Sequence, residues 1–212
     1  MDQLTVIVPC KDESANLERA IDSIDAVIPR LDLDVHVLMV DDGSSDGTAH
    51  VMEKICAERP HCRMLVQEVN RGLGRTVLNA YHQIPEDHWV TVFPGDNELV
   101  FDSIENLLAM RHDHDLVLGY LQNPVIRTVV RRIASSLFST VVRFVYGYPY
   151  RYLNGMKLYK VAVFKDIEVI STELNQTIAE LEQISFAANK YYMLLVRGDK
   201  DNPQRGVEII VE

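Results

Sequence analysis

Apolar and β-branched residues fall in short runs along the first 120 positions of the chain. Leu4 to Pro9, Val35 to Val40, Met64 to Val69, Val90 to Phe93 and Asp115 to Leu118 each read as a buried strand. Stretches with helical spacing separate the first four. Leu17, Ile21, Ile24 and Ile28 share one face of a helix that Ser14 or Asn16 can cap. Asp46 or Thr48 can cap a second helix, and a third runs toward Ile84. Strands alternating with helices predict an α/β fold: a Rossmann-like, mostly parallel sheet flanked by helices, with right-handed crossovers.

The pattern changes in the last third. From Val125 to Tyr146 a long helix is expected, because Ile126, Val130, Ile133, Leu137, Val141 and Val145 recur at helical spacing. Arg127, Arg131, Ser135, Ser139 and Arg143 recur every four residues on another face. That face is either solvated surface or a basic amphipathic face that meets phosphates or a membrane. The run Tyr146-Gly147-Tyr148-Pro149-Tyr150-Arg151-Tyr152 reads as a loop, and Asn154-Gly155-Met156-Lys157 as a turn into an apolar, basic segment. A helix over 173–189 and strands over 191–196 and 207–211 complete the expectation.

Polar residues mark where the chemistry lies. Three strands end in carboxylates: Asp12-Glu13, Asp41-Asp42 and Asp96-Glu98. In open α/β sheets ligands bind at the carboxyl ends of the strands, so the three clusters should line one edge. Pro94-Gly95 breaks its strand and turns the chain, crowding the oxygens of Asp96, Asn97 and Glu98 together. Such oxygens suit Mg²⁺ or Mn²⁺, and they equally suit a solvated turn that caps the next helix.

Composition narrows the classes. At 212 residues and 47% apolar, the chain reads as a single domain with a sizeable core. The net charge of −10 is uneven. No Asp or Glu lies between Leu116 and Lys165, where eight of the 21 basic residues fall. Elsewhere 13 basic residues face 31 acidic ones. A basic island in an acidic protein suggests an anionic ligand or surface, whereas the acidic whole argues against nucleic acid. Three cysteines without metal-ligand spacing suggest a reducing compartment. Met1-Asp2-Gln3 runs straight into a strand, with no secretory signal pattern, so a cytoplasmic location is expected. The seven histidines show no zinc-ligand or triad pattern.

In order, Val6-Ile7-Val8-Pro9-Cys10-Lys11-Asp12-Glu13, Val40-Asp41-Asp42-Gly43-Ser44-Ser45-Asp46-Gly47-Thr48, Asn70-Arg71-Gly72-Leu73-Gly74 and Pro94-Gly95-Asp96-Asn97-Glu98 resemble the motifs of family 2 glycosyltransferases. The similarity is greatest to the dolichyl- and polyprenyl-phosphate sugar transferases. It implies a GT-A fold that binds a nucleoside diphosphate sugar. Residues 1–120 would form the nucleotide-sugar half and 121–212 the acceptor half. It also implies nucleotide contacts from Pro9, Glu13, Asp41, Asp42 and Gly72. Lys11 stands where the family often has an aromatic residue. The family's metal motif is Asp-x-Asp; here Pro94 replaces the first Asp, leaving Asp96 as the ligand with Glu98 or Asn97 in support. Arg131 or Arg132 and Lys157 match basic residues that meet phosphates.

The expected activity is inverting transfer of a sugar to a polyprenyl phosphate, in a domain resting peripherally on the membrane face. Asp96, Arg131 and Lys157 would be its catalytic residues. Two alternatives stay open: a saccharide hydroxyl acceptor with Glu180 or Glu182 as base, and a nucleotide-sugar-binding protein without turnover. A dinucleotide-dependent oxidoreductase is disfavoured, because Pro9-Cys10-Lys11-Asp12 follows the first strand in place of G-x-G-x-x-G.

Overall fold

The computed structural model describes residues 2–97, 100–112, 114, 116–121, 156–164, 191–196 and 207–209. In chain order the strands are β1 (Gln3–Cys10), β2 (Asp34–Asp41), β3 (Cys62–Val66), β4 (Trp89–Val92), β5 (Leu116–Leu121), β6 (Lys157–Lys160), β7 (Tyr191–Val196) and β8 (Val207–Ile209). The helices are α1 (Leu17–Asp25), α2 (Thr48–Glu58), α3 (Leu73–Tyr81) and α4 (Ile104–Ala109). Among the described residues the strands form one sheet in the order β3-β2-β1-β4-β6-β5-β7-β8.

β1 to β4 run parallel, each linked to the next through a helix, as the alternating pattern predicts. Strand alternation sends side chains to two buried layers. Leu4, Val6 and Val8 of β1 and Val35, Val37 and Met39 of β2 meet Leu17, Ala20, Ile21 and Ile24 of α1 and Met52 and Ile55 of α2. On the opposite face, Ile7, Leu38, Val40 and Val90 pack on Val77, Ala80 and Tyr81 of α3. A central strand covered on both faces needs an almost unbroken apolar run, and Leu4 to Cys10 is buried throughout.

Several boundaries differ from the expectation. α1 stops at Asp25, and Ile28 lies in a 3₁₀ turn with Pro29, which cannot continue an α-helix. β3 spans Cys62–Val66 because its pairing with β2 stops where β2 stops, at Asp41↔Val66. Val69, expected in that strand, is 58% exposed in the following loop. The larger difference is β6. The segment expected as a turn into an apolar, basic stretch enters the middle of the sheet, antiparallel to both β4 and β5. Four residues with Leu158 in one core layer and Tyr159 in the other suffice to fill the slot. The helices expected over 125–146 and 173–189, and the loop over 146–152, lie outside the described residues.

Candidate functional site

The carboxyl ends of β1, β2 and β4 share one edge of the sheet. Pro9 lies in the buried interior of β1 without an N–H to give. The carbonyls of Ile7 and Pro9 both face the β4 side, accepting from Phe93 N–H at 2.9 Å and Gly95 N–H at 3.3 Å. Pro9 therefore lacks its donor on the side where β4 has already ended, which is why a proline fits there.

Beyond β1 and β2 the two loops interlock. Lys11 Nζ donates to the Gly43 carbonyl at 2.7 Å, and Asp12 N–H donates to Ser44 Oγ at 2.9 Å. Glu13 N–H donates to Thr48 Oγ1 at 2.9 Å, and Ser14 N–H to Asp46 Oδ2 at 2.9 Å. Ser45 N–H returns a bond to Asp12 Oδ1 at 2.8 Å. Asp12 takes up a left-handed backbone (φ 56°), unusual outside glycine, which these reciprocal bonds hold in place. The bond from Ser45 N–H holds the Asp12 carboxyl below the usual range. Bonds from Thr48 and Ser14 do the same for Asp46, which also caps the entry to α2.

Asp41 and Asp42 are both buried at the end of β2. Asp41 Oδ1 accepts from the N–H and the hydroxyl of Ser44. Asp42 spreads its carboxylate over the third loop: Oδ1 accepts from Arg71 N–H at 2.7 Å and Oδ2 from Gly72 N–H at 3.0 Å. Gly43 makes the junction possible. Its φ is +69°, and a Cβ there would lie 2.8 Å from the backbone nitrogen of Asn70.

The turn after β4 packs on the end of β1. A Cβ at Gly95 would lie 3.1 Å from Cys10 Sγ and 3.6 Å from Glu13 Cγ. Asp96, half-buried on this turn, is thereby brought to the same corner as Glu13. Burial, reinforced by Asp41, Glu13 and Asp46, pushes the Cys10 thiol far up, so it stays protonated and donates to the Val8 carbonyl at 3.3 Å. Lys157 opens β6, and because β6 is antiparallel its first residue lies at this same edge, paired with Leu118 beyond the Thr91↔Leu158 pair. Thus the structure brings Pro9, Glu13, Asp41, Asp42, Gly72, Asp96 and Lys157 to one edge. Glu98, Arg127, Arg131, Arg132, Glu180 and Glu182 lie outside the described residues.

The glycosyl transferase family 2 model matches residues 5–167. The chain belongs to that family. Yeast (Saccharomyces cerevisiae) dolichol-phosphate mannosyltransferase is 23% identical over 147 residues, 66% of this chain and 55% of that protein. The undecaprenyl-phosphate 4-deoxy-4-formamido-L-arabinose transferase of Enterobacter sp. strain 638 is 26% identical over 143 residues, 66% of this chain and 43% of that protein. The chain therefore spans about half the length of these relatives. Among solved structures, Mycobacterium tuberculosis glucosyl-3-phosphoglycerate synthase, held with Mn²⁺, uridine-diphosphate-glucose and phosphoglyceric acid, superposes with a TM-score of 0.66 at 17% identity. That match covers 92% of this chain and 70% of the other. The fold is accordingly the GT-A arrangement that the motifs implied.

In this family 2 chain the site also draws on residues that were not expected among its contacts. Ser44, Ser45 and Thr48 fasten the β1 and β2 loops to each other, and hydroxyl residues beside an acidic loop were the available signal. Ser23, in the last turn of α1, reaches Asn97 from 74 positions away, and nothing local in the sequence announces that contact.

Proposed function

We propose that this chain transfers a sugar from a nucleoside diphosphate sugar to a polyprenyl phosphate, with inversion at the anomeric carbon. The observation that carries the reading is the convergence of Glu13, Asp41, Asp42 and Asp96 from three separate loops at one sheet edge, with Lys157 on the strand that borders it. Carboxylates accept hydrogen bonds from base N–H groups and ribose hydroxyls, which gives Glu13 and Asp41 their part. Asp42 holds the Arg71-Gly72 segment, and with it the backbone that faces the nucleotide.

Among the described residues no three His, Cys, Asp or Glu side chains gather into a metal site, so a hard divalent cation would rest on the single carboxylate of Asp96. Mg²⁺ and Mn²⁺ sites at phosphates commonly use one or two carboxylates with phosphate oxygens completing the shell. Asp96 would hold such an ion, and Mn²⁺ accompanies the sugar nucleotide in the mycobacterial synthase structure. Bound there, such an ion would neutralise charge on the departing nucleoside diphosphate.

A phosphate acceptor is already an anionic nucleophile and needs no general base. One of its oxygens forms the bond to the anomeric carbon as the bond to the diphosphate oxygen breaks on the opposite side. Such an acceptor needs cations to position it, and the carboxylate-free stretch from Leu116 to Lys165 supplies Arg127, Arg131, Arg132 and Lys157. The names of the yeast and Enterobacter relatives carry the same acceptor class.

Transfer from UDP-, GDP- and CDP-sugars to a short-chain polyprenyl phosphate tests the reading. Activity is expected with one nucleotide, lost in Asp96→Asn, Arg131→Ala and Lys157→Ala, and kept in Glu180→Gln and Glu182→Gln. Transfer to a sugar hydroxyl alone, abolished by either glutamine variant, reverses the acceptor. Binding of the nucleotide without any transfer across both acceptor classes identifies a protein without turnover.

A further inference from the structure

Both neighbours of Asp96 are anchored to the front of the fold. Gly95 donates its N–H to the Pro9 carbonyl at 3.3 Å and lies against Cys10. Asn97 has a left-handed backbone (φ 57°), which asparagine tolerates better than most residues. Its side-chain Oδ1 lies 3.1 Å from the hydroxyl of Ser23 on α1. The same Ser23 Oγ lies 2.9 Å from the Arg19 carbonyl, so its single proton is shared between two acceptors. Further back along α1, the Arg19 guanidinium donates to Asn16 Oδ1 at 2.7 Å, and Asn16 Nδ2 donates to Glu13 Oε2 at 3.0 Å.

These contacts form a path in two hydrogen-bonded parts, Glu13 to Asn16 to the Arg19 guanidinium and the Arg19 carbonyl to Ser23 to Asn97, joined through the covalent frame of Arg19. Residues 16, 19 and 23 follow helical spacing along a single stripe of α1. The path begins at the carboxylate assigned to the nucleotide and ends beside the carboxylate assigned to the cation. The helix between them has the fixed rise of an α-helix and a fully buried inner face, Leu17, Ala20, Ile21 and Ile24.

We infer that Ser23 and Asn97 are positioning residues for Asp96, and that α1 is the spacer that sets the distance between the nucleotide-binding and cation-binding carboxylates. Asn97 acts through the turn it stabilises. Its side-chain oxygen is engaged by Ser23, so its contribution is to fix the backbone that carries Asp96. The inference rests on the proposed role of Asp96 as cation ligand.

The test is Mn²⁺ titration of the full chain in the presence of UDP, with free Mn²⁺ followed by electron paramagnetic resonance. Ser23→Ala and Asn97→Gly should each weaken Mn²⁺ binding by about three- to tenfold, the worth of one hydrogen bond. The double variant should be no weaker than either single one, since both remove the same contact. Ser23→Thr, which keeps the hydroxyl, should restore affinity. Melting temperatures should stay within about 3 °C, because the contact is a single half-buried bond. Wild-type Mn²⁺ affinity in Ser23→Ala and Asn97→Gly, with affinity lost in Asp96→Asn, overturns the positioning role alone. A larger fall in melting temperature without rescue by Ser23→Thr also overturns it, as it marks a structural role. Unchanged affinity in Asp96→Asn, or no Mn²⁺ binding by the wild type, overturns the cation reading and the positioning together.

Discussion

Asp42 illustrates how a single side chain can serve the site by organising backbone. The residue is 5% exposed, and its two carboxylate oxygens accept from two successive N–H groups of the third loop. Asp42→Asn keeps the shape but turns an NH₂ group toward one of those donors, leaving buried polar groups unpaired. A loss of about 1–3 kcal/mol is expected in urea unfolding at neutral pH, the usual penalty for an unsatisfied buried group. Nucleotide affinity should fall as well, because the Arg71-Gly72 segment loses one of its two bonds to the carboxylate. A variant with unchanged stability would show that the clamp is dispensable. At this scale the sequence was partly legible. Asp41, Asp42 and Glu13 stand out because each follows an apolar run, so strand ends identify them. Their partners do not stand out. Backbone acceptors such as the Gly43 carbonyl, and backbone donors such as Arg71 N–H, carry no residue signature, so which neighbouring loop each carboxylate fastens emerges only from the fold.

Among elements, the parallel half was legible and the insertion was not. β1, β2 and β4 announce themselves because burial on both faces requires unbroken apolar runs. β6 has only four residues, two of them lysines, and its place between β4 and β5 depends on partners far away in the chain. The amino-terminal end of the sheet provides a separate test of element packing. On the face of α3, His36 of β2 stacks on His88 just before β4, with ring centroids 5.5 Å apart, and Thr5 Oγ1 lies 2.9 Å from His88 Nδ1. Burial, then the neighbouring His36 and Arg63, lower the pKa of His88 against the opposing pull of Asp87. A base with a depressed folded pKa favours the neutral form in the native state. Its contribution is therefore complete above the ordinary histidine pKa of about 6.5 and is lost as pH falls through that value toward the folded one. Unfolding free energies measured at pH 7.5 and 5.5 should fall more for the wild type than for His88→Gln. Equal slopes would show that the stacked pair is indifferent to protonation.

On the scale of the molecule, charge and topology each have a consequence. The basic stretch from Leu116 to Lys165 interrupts a chain of net charge −10. No helix among the described residues is long and apolar enough to cross a membrane. If the basic stretch meets an anionic surface, the chain should sediment with phosphatidylglycerol vesicles at low salt, and less so at 0.5 M salt. It should also stay in solution with phosphatidylcholine vesicles, and Arg127→Glu/Arg131→Glu should weaken the first interaction by at least about tenfold. Equal binding to both vesicle types would remove charge as the cause. The antiparallel β6 bears on how the chain reaches its native state. Trp89, Val90 and Thr91 pair with residues about seventy positions later. On a growing chain, β1, β2 and β3 pair strand after strand and β4 returns to β1 from far along the chain, while the outer edge of β4 stays unpaired until Lys157–Lys160 emerges. Long-range pairings of this kind slow folding, and during the wait the bare strand edge is open to other chains. Chaperone dependence and aggregation of nascent chains should therefore concentrate in lengths between the end of β4 and the arrival of β6.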